Sequence, residues 1–394
     1  MKLKYTALAL AAALSVGAAQ SATVKIGFVT TLTTGGAVIG TDMQNAVNLA
    51  MEHLGKKAGG TDLQVVFADD AVKPETGKQA TDRLVKEDKV DFVAGYIWSH
   101  VLLASMKSAL DGGAFLISAN AGPSQIAGKL CHENFFSTSW QNDQTTMAMG
   151  EVLNKKGIKS VYAMAPNYAA GQDMIAGVER TFKGKVVGKD LTKWGADPQL
   201  DFSAELAKAK DSGAEALFVF YPGAAGGAFA KQYQQAGLNK KLPLYSTFTL
   251  DALSLPKLQA GKLNDILGSR FTQEWDPTLD NAANKKFVAD FKAKHGTYPS
   301  FYAAQSYDAI MLIASAVKAT NGNMKDKDAV RKALKAANYE SVRGKYTYGN
   351  NHFPIQNFYL REVVADAQGN WTTKVVDTVY TNHQDPYASE CKMK

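Results

Sequence analysis

A glycine-rich turn after the first apolar run of the sequence has some features of a phosphate-binding loop. Residues 33–42 read TTGGAVIGTD, with glycines at 35, 36 and 40. A dinucleotide loop needs the spacing G-x-G-x-x-G so that its backbone amides can approach the pyrophosphate. Gly35 and Gly40 have the outer spacing of a nucleoside-triphosphate loop, but Thr41 occupies the position of its lysine. The pattern argues against a nucleotide site and predicts a flexible turn into a helix whose N-terminus is open to a small anion or polar ligand.

Other patterns that carry enzyme chemistry are incomplete in this sequence. No G-x-S-x-G elbow supplies a hydrolase nucleophile. The six histidines have no metal-ligand spacing; they stand at 53, 100, 132, 295, 352 and 383. The paired acids Asp69 and Asp70 either bind a cation or cap the following turn, and the turn is favoured. We therefore expect no enzyme, no catalytic residue, no metal and no cofactor.

The composition is that of a globular protein. The chain has 394 residues, of which 46% are hydrophobic and 21% charged, which excludes disordered and collagen-like classes and allows about two or three domains. The formal net charge is +7, and loss of the two N-terminal lysines leaves +5. Lysines alternate with acids rather than forming a basic run, so the charge does not indicate a nucleic-acid partner.

Residues 1–22 have the three parts of a secretory signal. A short cationic start with Lys2 and Lys4 precedes an apolar stretch over 5–19, and small residues follow where a peptidase can cut. The apolar stretch is shorter than the ~20 residues of a membrane span, although a buried or spanning helix is the alternative. No cysteine stands at the cut region, which argues against a lipid anchor. We expect an exported protein.

The chain has two cysteines, Cys131 and Cys391. An oxidising compartment allows them to pair, and the bond would tie the tail, 381–394, back to the first half of the chain. Closing so long a loop stabilises a protein by ~4–5 kcal/mol in the chain-entropy model. Two free thiols are the alternative.

Apolar runs and amphipathic segments alternate twice along the chain. The first series has strands at 24–29, 63–68, 90–94 and 114–118, with helices between them. The second has strands at 160–165, 186–187, 216–221, 244–247 and 266–272. Alternation of this kind is typical of parallel sheets covered by helices on both faces. We therefore predict an α/β protein made of two doubly wound lobes.

The last part of the chain changes character. Helices are predicted at 281–294, 301–317 and 327–336, then a β-hairpin with strands at 358–364 and 371–379. Late strands after helices indicate that the chain crosses between the lobes more than once. The predicted division is 23–141 plus 273–354 for the first lobe, 142–272 plus 355–380 for the second, and 381–394 for the tail.

Several short segments resemble a known family. They are VKIG at 24–27, LTTG at 32–35, NLAME at 48–52, ISANA at 117–121, DFS at 201–203 and YPG at 221–223. In this order and spacing, the mature chain resembles periplasmic substrate-binding proteins of branched-chain amino-acid-type ABC importers, the leucine/isoleucine/valine-binding protein family. The resemblance implies two Rossmann-like lobes joined by a three-stranded hinge, a small-molecule ligand, a membrane permease as partner and a monomeric state.

The resemblance also implies a binding site at the carboxyl ends of the strands, where open parallel sheets bind ligands. Ser99 would hold the ligand carboxylate through its hydroxyl and amide, and Ala121 and Gly122 would offer amides. Tyr168 and Tyr221 would close on the ligand from the second lobe. The complete predicted set is Ile97, Trp98, Ser99, Asn120, Ala121, Gly122, Tyr168, Tyr221 and Phe248. Packing or capping roles are the alternative for these residues.

One departure from the family bears on the ligand. Amino-acid binders of the family place an acid after the strand that corresponds to 244–247, where it pairs with the α-ammonium. Here Phe248 and Thr249 stand in that place, and Asp251 lies further on. A buried ammonium without a counter-charge is costly, so a hydrophobic or aromatic carboxylate is favoured over a branched-chain amino acid. The alternative functions are a soluble sensory subunit and an exported enzyme with the same α/β fold.

Overall fold

The computed structural model describes residues 23–393, so the predicted leader at 1–22 lies outside it. A six-stranded sheet with the order β2-β3-β1-β4-β5-β6 forms the centre of what we call lobe I. Its strands are β1 (Thr23–Thr30), β2 (Lys57–Ala58), β3 (Thr61–Asp69), β4 (Phe92–Gly95), β5 (Phe115–Ser118) and β6 (Phe135–Ser137). All pair in parallel except β2, which runs antiparallel to β3. Strands such as β4 and β5 are buried along their whole length, which explains why they read as continuous apolar runs.

Helices cover both faces of this sheet. Those between its strands are α1 (Ala37–His53), α2 (Pro74–Lys86), α3 (Ser99–Asp111) and α4 (Ser124–Ala127). Three helices from later in the chain join them: α10 (Ala282–His295), α11 (Phe301–Ala319) and α12 (Lys327–Ala336). The helix α11 is buried along almost all of its length and packs against α1.

A second sheet forms lobe II. Its order is β12-β13-β11-β10-β9-β7-β8, with β14 paired to β13. The strands are β7 (Ser160–Pro166), β8 (Lys185–Thr192), β9 (Ala216–Phe220), β10 (Leu244–Thr247), β11 (Arg270–Gln273), β12 (Thr347–Tyr348), β13 (Pro354–Ala365) and β14 (Trp371–His383). The helices of this lobe are α5 (Asn142–Lys155), α6 (Ala169–Thr181), α7 (Ser203–Asp211), α8 (Ala224–Gln235) and α9 (Leu255–Ala260). The two-lobed doubly wound α/β fold is therefore confirmed. Among residues 23–393, no helix combines the length and apolar character needed to cross a bilayer.

The glycine-rich turn is shorter than the sequence suggested. A 3-10 turn covers Thr34–Gly36 and α1 begins at Ala37, so the prediction of a flexible turn over 33–42 was wrong. Gly40 lies inside the helix, where a Cβ atom would stand 1.7 Å from the carbonyl oxygen of Thr31. Its role is therefore a close approach between α1 and the end of β1.

The paired acids after β3 fix the neighbouring turns. Asp69 accepts hydrogen bonds from the amides of Leu32 (2.8 Å) and Ala71 (3.0 Å), and Asp70 accepts one from the amide of Val72 (2.9 Å). Among the described residues, no group of histidine, cysteine and acidic side chains is arranged to hold a metal ion. The structure therefore confirms the turn-capping role that the sequence favoured for this pair.

The chain passes between the lobes three times. The crossings are 138–141 from β6 to α5, 274–281 from β11 to α10, and 337–346 from α12 to β12. A group of buried charges, the hinge cluster, lies at the second and third crossings; it consists of Glu274, Asp276, Asp308, Arg343 and Arg361. Arg343 Nε lies 3.1 Å from Asp308 Oδ2, and Arg361 Nε lies 2.7 Å from Asp276 Oδ2.

Glu274 differs from the other members of the hinge cluster. Within residues 23–393 neither of its carboxylate oxygens has a hydrogen-bond partner. Burial raises its pKa to about 7, against the opposing charges of Arg343 and Arg361. Burial therefore favours the protonated form of this carboxyl group, which limits the cost of burying it.

The C-terminal tail forms a fourth connection between the lobes. It leaves the end of β14 in lobe II, and Asp385 accepts a hydrogen bond from Asn351 Nδ2 at 2.8 Å. Tyr387 donates a hydrogen bond to Asp143 Oδ2 at 3.1 Å. The tail then reaches lobe I, where Cys391 forms a disulfide with Cys131. The predicted disulfide is confirmed, and it holds the tail across the hinge.

Candidate functional site

A narrow cavity of about 10 Å³ lies between the lobes at the carboxyl ends of β4, β5, β9 and β10. Seven of the nine predicted site residues line it: Ile97, Trp98, Ser99, Asn120, Ala121, Tyr168 and Phe248. Seven further lining residues are apolar or aromatic except for one amide: Trp140, Asn142, Ala170, Met174, Phe220, Pro222 and Tyr302. The structure therefore brings most of the predicted set together and adds residues that the sequence reading missed.

A sharp turn aims Trp98 and Ser99 into this cavity. Gly95 ends β4 with φ +108°, and a Cβ atom there would lie 2.1 Å from the carbonyl oxygen of Val29. Tyr96 follows with φ +64°, a conformation that is costly for a bulky residue. The chain then enters α3, with Ser99 as its first residue and Trp98 as its N-cap. Ser99 is thus not the capping residue, and its side chain is free for another role.

Ser99 is oriented by Asn142, the first residue of α5. Asn142 Nδ2 donates a hydrogen bond to Ser99 Oγ at 3.2 Å. Because Ser99 Oγ accepts this bond, its own proton can be donated to a group in the cavity. The first amides of α3 add the partial positive charge of a helix N-terminus at the same place. This end of the cavity can hold an anion.

The predicted amide donors of Ala121 and Gly122 do not face the cavity. The amide of Ala121 donates to the carbonyl of Tyr96 (3.0 Å), and the amide of Gly122 donates to Asn142 Oδ1 (3.2 Å). Gly122 is also absent from the cavity lining. A Cβ atom at Gly122 would lie 1.9 Å from the carbonyl oxygen of Trp140, so this glycine permits the contact between β5 and the first crossing. The expected role of these two amides was wrong in this geometry.

The two predicted tyrosines have different positions. Tyr168 lines the cavity, stacks on Trp194 with ring centroids 5.5 Å apart, and meets the edge of Trp98 at 6.4 Å. Burial raises its pKa well above its usual value, so the hydroxyl stays protonated. The Trp98 and Trp194 rings lie 5.4 Å apart. Because Trp98 belongs to lobe I and the other two rings to lobe II, this aromatic group joins the lobes beside the cavity.

Tyr221 lies in the core of lobe II instead of in the cavity. Its hydroxyl accepts a hydrogen bond from Thr192 at 3.1 Å, and its ring packs on Phe202 at 4.6 Å. The neighbours Phe220 and Pro222 line the cavity. Successive side chains of an extended segment point to opposite sides. The sequence therefore placed the right loop at the cavity but selected the wrong residue of that loop.

Phe248 directly follows β10, where the resemblance led us to expect an acid in an amino-acid binder. Its ring stacks on Trp140 with centroids 4.6 Å apart and packs on Phe301 at 4.9 Å. Its φ of +52° is unusual for an aromatic residue and is held by this packing. Asp251 accepts hydrogen bonds from the amides of Leu253 and Ser254 at the start of α9 and does not line the cavity. No carboxylate is among the described residues that line the cavity.

A hydrogen-bonded contact holds the lobes together next to Ser99. Asp173 in α6 of lobe II accepts hydrogen bonds from Ser124 in lobe I, through the amide (3.1 Å) and the hydroxyl (2.9 Å). It also accepts one from Asn142 Nδ2 at 2.9 Å. Burial raises the pKa of Asp173 to about 6. Asn142 therefore links the anion end of the cavity to the closed arrangement of the lobes.

Some of the cavity residues that the prediction missed had a signal in the sequence, and others had none. Trp140 and Asn142 lie in or next to the first crossing, which the polar segment after 140 had marked as a boundary. Tyr302 lies in the long apolar helix α11 and reads as an ordinary core residue. Only the folded arrangement brings these three side chains to the same cavity.

A family model for periplasmic binding proteins matches residues 23–369. The chain belongs to the periplasmic binding protein family. Within it, the resemblance to the branched-chain amino-acid type is confirmed, because the chain is 28% identical over 396 residues to the Leu/Ile/Val-binding protein homolog 6 of Brucella abortus (strain 2308). That match covers 98% of each chain.

Solved structures of periplasmic binding proteins share the fold. A solute-binding protein of an ABC transporter from R. palustris, in complex with benzoate, has a TM-score of 0.86 and 29% identity. The match covers 94% of this chain and 100% of that one. A solute-binding protein from Rhodopseudomonas palustris BisB5, in complex with 3,4-dihydroxybenzoic acid, has a TM-score of 0.83 and 29% identity, covering 92% and 99%. A third, from R. palustris in complex with 4-hydroxybenzoate, has a TM-score of 0.84 and 25% identity, covering 92% and 98%.

Proposed function

We propose that this periplasmic binding protein is the solute-binding component of an ABC importer and captures an aromatic carboxylate between its lobes. The observation that carries the proposal is the combination of a serine donor, aromatic walls and no acidic side chain in one cavity between the lobes. Each part of that combination selects a feature of the ligand. The proposed site residues are Ile97, Trp98, Ser99, Asn120, Tyr168 and Phe248, with Ala121 as wall only.

The anion end of the cavity suits a carboxylate. The hydroxyl of Ser99 is held by Asn142 with its proton free, and it stands at the start of α3. A hydrogen bond from a buried hydroxyl to a charged oxygen is among the stronger ones in proteins. The rings of Trp98 and Tyr168 lie beside this end and exclude water.

The other walls suit an aromatic ring and do not suit an ammonium group. Phe248, Trp140 and Tyr302 are all buried and line the cavity. Aromatic contacts add ~0.5–1.5 kcal/mol beyond the burial of area. An α-ammonium in this cavity would have no carboxylate partner among the lining residues, and an unpaired buried charge is strongly unfavourable. The benzoate and hydroxybenzoate complexes of the similar proteins support the same choice.

Capture follows from the hinge between the lobes. An open form admits the ligand, and contacts such as Ser124–Asp173 and Trp98–Tyr168 form as the lobes close over it. We propose that the closed form is presented to a membrane permease, that the protein acts in the periplasm as a monomer after removal of residues 1–22, and that the ligand leaves chemically unchanged. The division into 23–141 plus 273–354 and 142–272 plus 355–380 remains our proposal for the two moving bodies.

A ligand panel tests the proposal directly. Benzoate, 4-hydroxybenzoate and 3,4-dihydroxybenzoate should raise the melting temperature, because a ligand that binds only the native state stabilises it by ~2.7 kcal/mol at a hundred times its Kd. Leucine, isoleucine and valine should not raise it at the same concentrations. Benzamide is the matched control, since it keeps the ring and lacks the charge. Stabilisation by the amino acids and not by the aromatic acids would show that the proposed ligand class is wrong.

Substitution of Ser99 by alanine tests the anion end. The change removes one buried donor and leaves the cavity shape almost intact, so aromatic-acid affinity should fall by about 10- to 100-fold, equivalent to ~1–3 kcal/mol. Isothermal titration calorimetry gives the Kd of both proteins. Ser105→Ala is the control, because Ser105 is buried on the same helix outside the cavity. Equal affinities of Ser99→Ala and wild type would remove Ser99 from the site.

A further inference from the structure

The indole N–H of Trp140 is a buried donor without an acceptor. The residue is 2% exposed, its ring lines the cavity, and Nε1 has no hydrogen-bond partner within residues 23–393. A buried donor that stays unpaired carries the full penalty of losing its water. Because such groups are rare in native proteins, this one needs an explanation, and a ligand acceptor in the cavity provides one.

Trp98 shows that an indole in this cavity need not be left unpaired. Trp98 lines the same space, and its Nε1 donates to Thr31 Oγ1 at 2.7 Å. Trp194 also has an unpaired buried Nε1, but its ring is not part of the cavity wall. Among the three tryptophans around the cleft, Trp140 therefore combines a free donor with a place in the wall.

Trp140 and Ser99 belong to different walls of the cavity. Ser99 is bonded to Asn142, which is bonded in turn to Asp173. The Trp140 ring instead lies on Phe248 and packs on Phe301 at 5.7 Å. The Trp140 indole is therefore held against the aromatic wall of the cavity, apart from the hydrogen bonds of Ser99.

We propose that Trp140 donates a hydrogen bond to an oxygen substituent on the ring of the bound acid, so that the site selects hydroxylated benzoates over benzoate. The inference rests on the proposed function, since it takes the carboxylate to be held at Ser99. A phenolic oxygen accepts a hydrogen bond through its lone pairs. A site built to bond a hydroxyl group discriminates against the analogue that lacks it, because the protein donor is then left unpaired.

The test compares benzoate with 2-, 3- and 4-hydroxybenzoate by calorimetry. In the wild type, at least one hydroxybenzoate should bind about tenfold or more tightly than benzoate, the ratio expected for one buried hydrogen bond. Trp140→Phe keeps an aromatic ring on Phe248 and removes the donor. It should bring that ratio to within about threefold of one, because the hydroxybenzoate loses more affinity than benzoate does.

A matched variant separates the donor from the ring. Trp194→Phe removes an unpaired donor from a ring outside the cavity wall and should keep the wild-type ratio. If Trp140→Phe does not fold, the test uses NMR of the wild type instead, through the indole N–H signals of its five tryptophans. One signal that Trp98→Phe and Trp194→Phe both retain should then shift with the hydroxybenzoate and not with benzoate.

Three outcomes would overturn the inference. They are a ratio that survives Trp140→Phe, an equal loss for both ligands in that variant, and a wild type that does not prefer any hydroxybenzoate. In each of these cases benzoate still binds, so the proposed function stands. If no aromatic acid binds the wild type, the proposed function is wrong and the inference is lost with it.

Discussion

Replacement of Arg343 by methionine should lower the free energy of unfolding by about 3–5 kcal/mol, the cost of leaving a buried charge without its partner. Arg343 is 7% exposed, and its guanidinium lies 3.1 Å from Asp308 Oδ2. It also donates to the carbonyl of Ser139 (3.1 Å) and to Gln356 Oε1 (2.7 Å). Asp308 is fully buried, so its carboxylate would remain in the interior with only the bonds from Ser341 and Val342. Urea denaturation gives the difference.

A partly exposed ion pair of lobe II supplies the control. Arg270 Nη2 lies 3.2 Å from Glu362 Oε2, and both side chains keep contact with solvent. Arg270→Met should therefore cost no more than about 1 kcal/mol. Combining Arg343→Met with Asp308→Asn should recover part of the loss, because the second change removes the unpaired charge. A cost for Arg343→Met as small as that for Arg270→Met would mean that the hinge pair contributes little to stability.

Removal of the disulfide is the second change with a large expected effect. The bond joins residues 260 positions apart, and in the chain-entropy model a loop of this size gives a stabilisation of about 4–5 kcal/mol. The double variant Cys131→Ser, Cys391→Ser should lose that amount in urea denaturation. Wild type under reducing conditions should match the double variant, which controls for the substitutions themselves. A loss below about 1 kcal/mol would contradict the constraint that we assign to the tail.

The sequence predicted the parts of the fold that have local signals. Strands such as β9, ALFVF, are buried on both faces and read as apolar runs. The disulfide followed from there being two cysteines in an exported chain. The three-residue strand β6 and the four-residue helix α4 were missed, because neither is long enough to show a hydrophobic period.

The candidate site was predictable to the level of loops and not of individual contacts. Residues after the strands were placed correctly because parallel strands end at one edge of a sheet. Whether Phe220 or Tyr221 faces the cavity depends on the register of β9, which the sequence did not settle. The amide of Gly122 is taken by Asn142, twenty residues later. Contacts of this kind arise from tertiary packing and cannot be predicted from the local sequence pattern.

The aromatic group beside the cavity gives the protein an intrinsic optical signal. The Trp98 and Trp194 rings, from opposite lobes, lie 5.4 Å apart, and Tyr168 stacks on the second of them. At this separation the indole transitions couple, and the coupling vanishes when the rings move apart. Fluorescence and near-ultraviolet circular dichroism of the unlabelled chain therefore report whether the cleft is shut, which makes the molecule a candidate scaffold for a dye-free sensor.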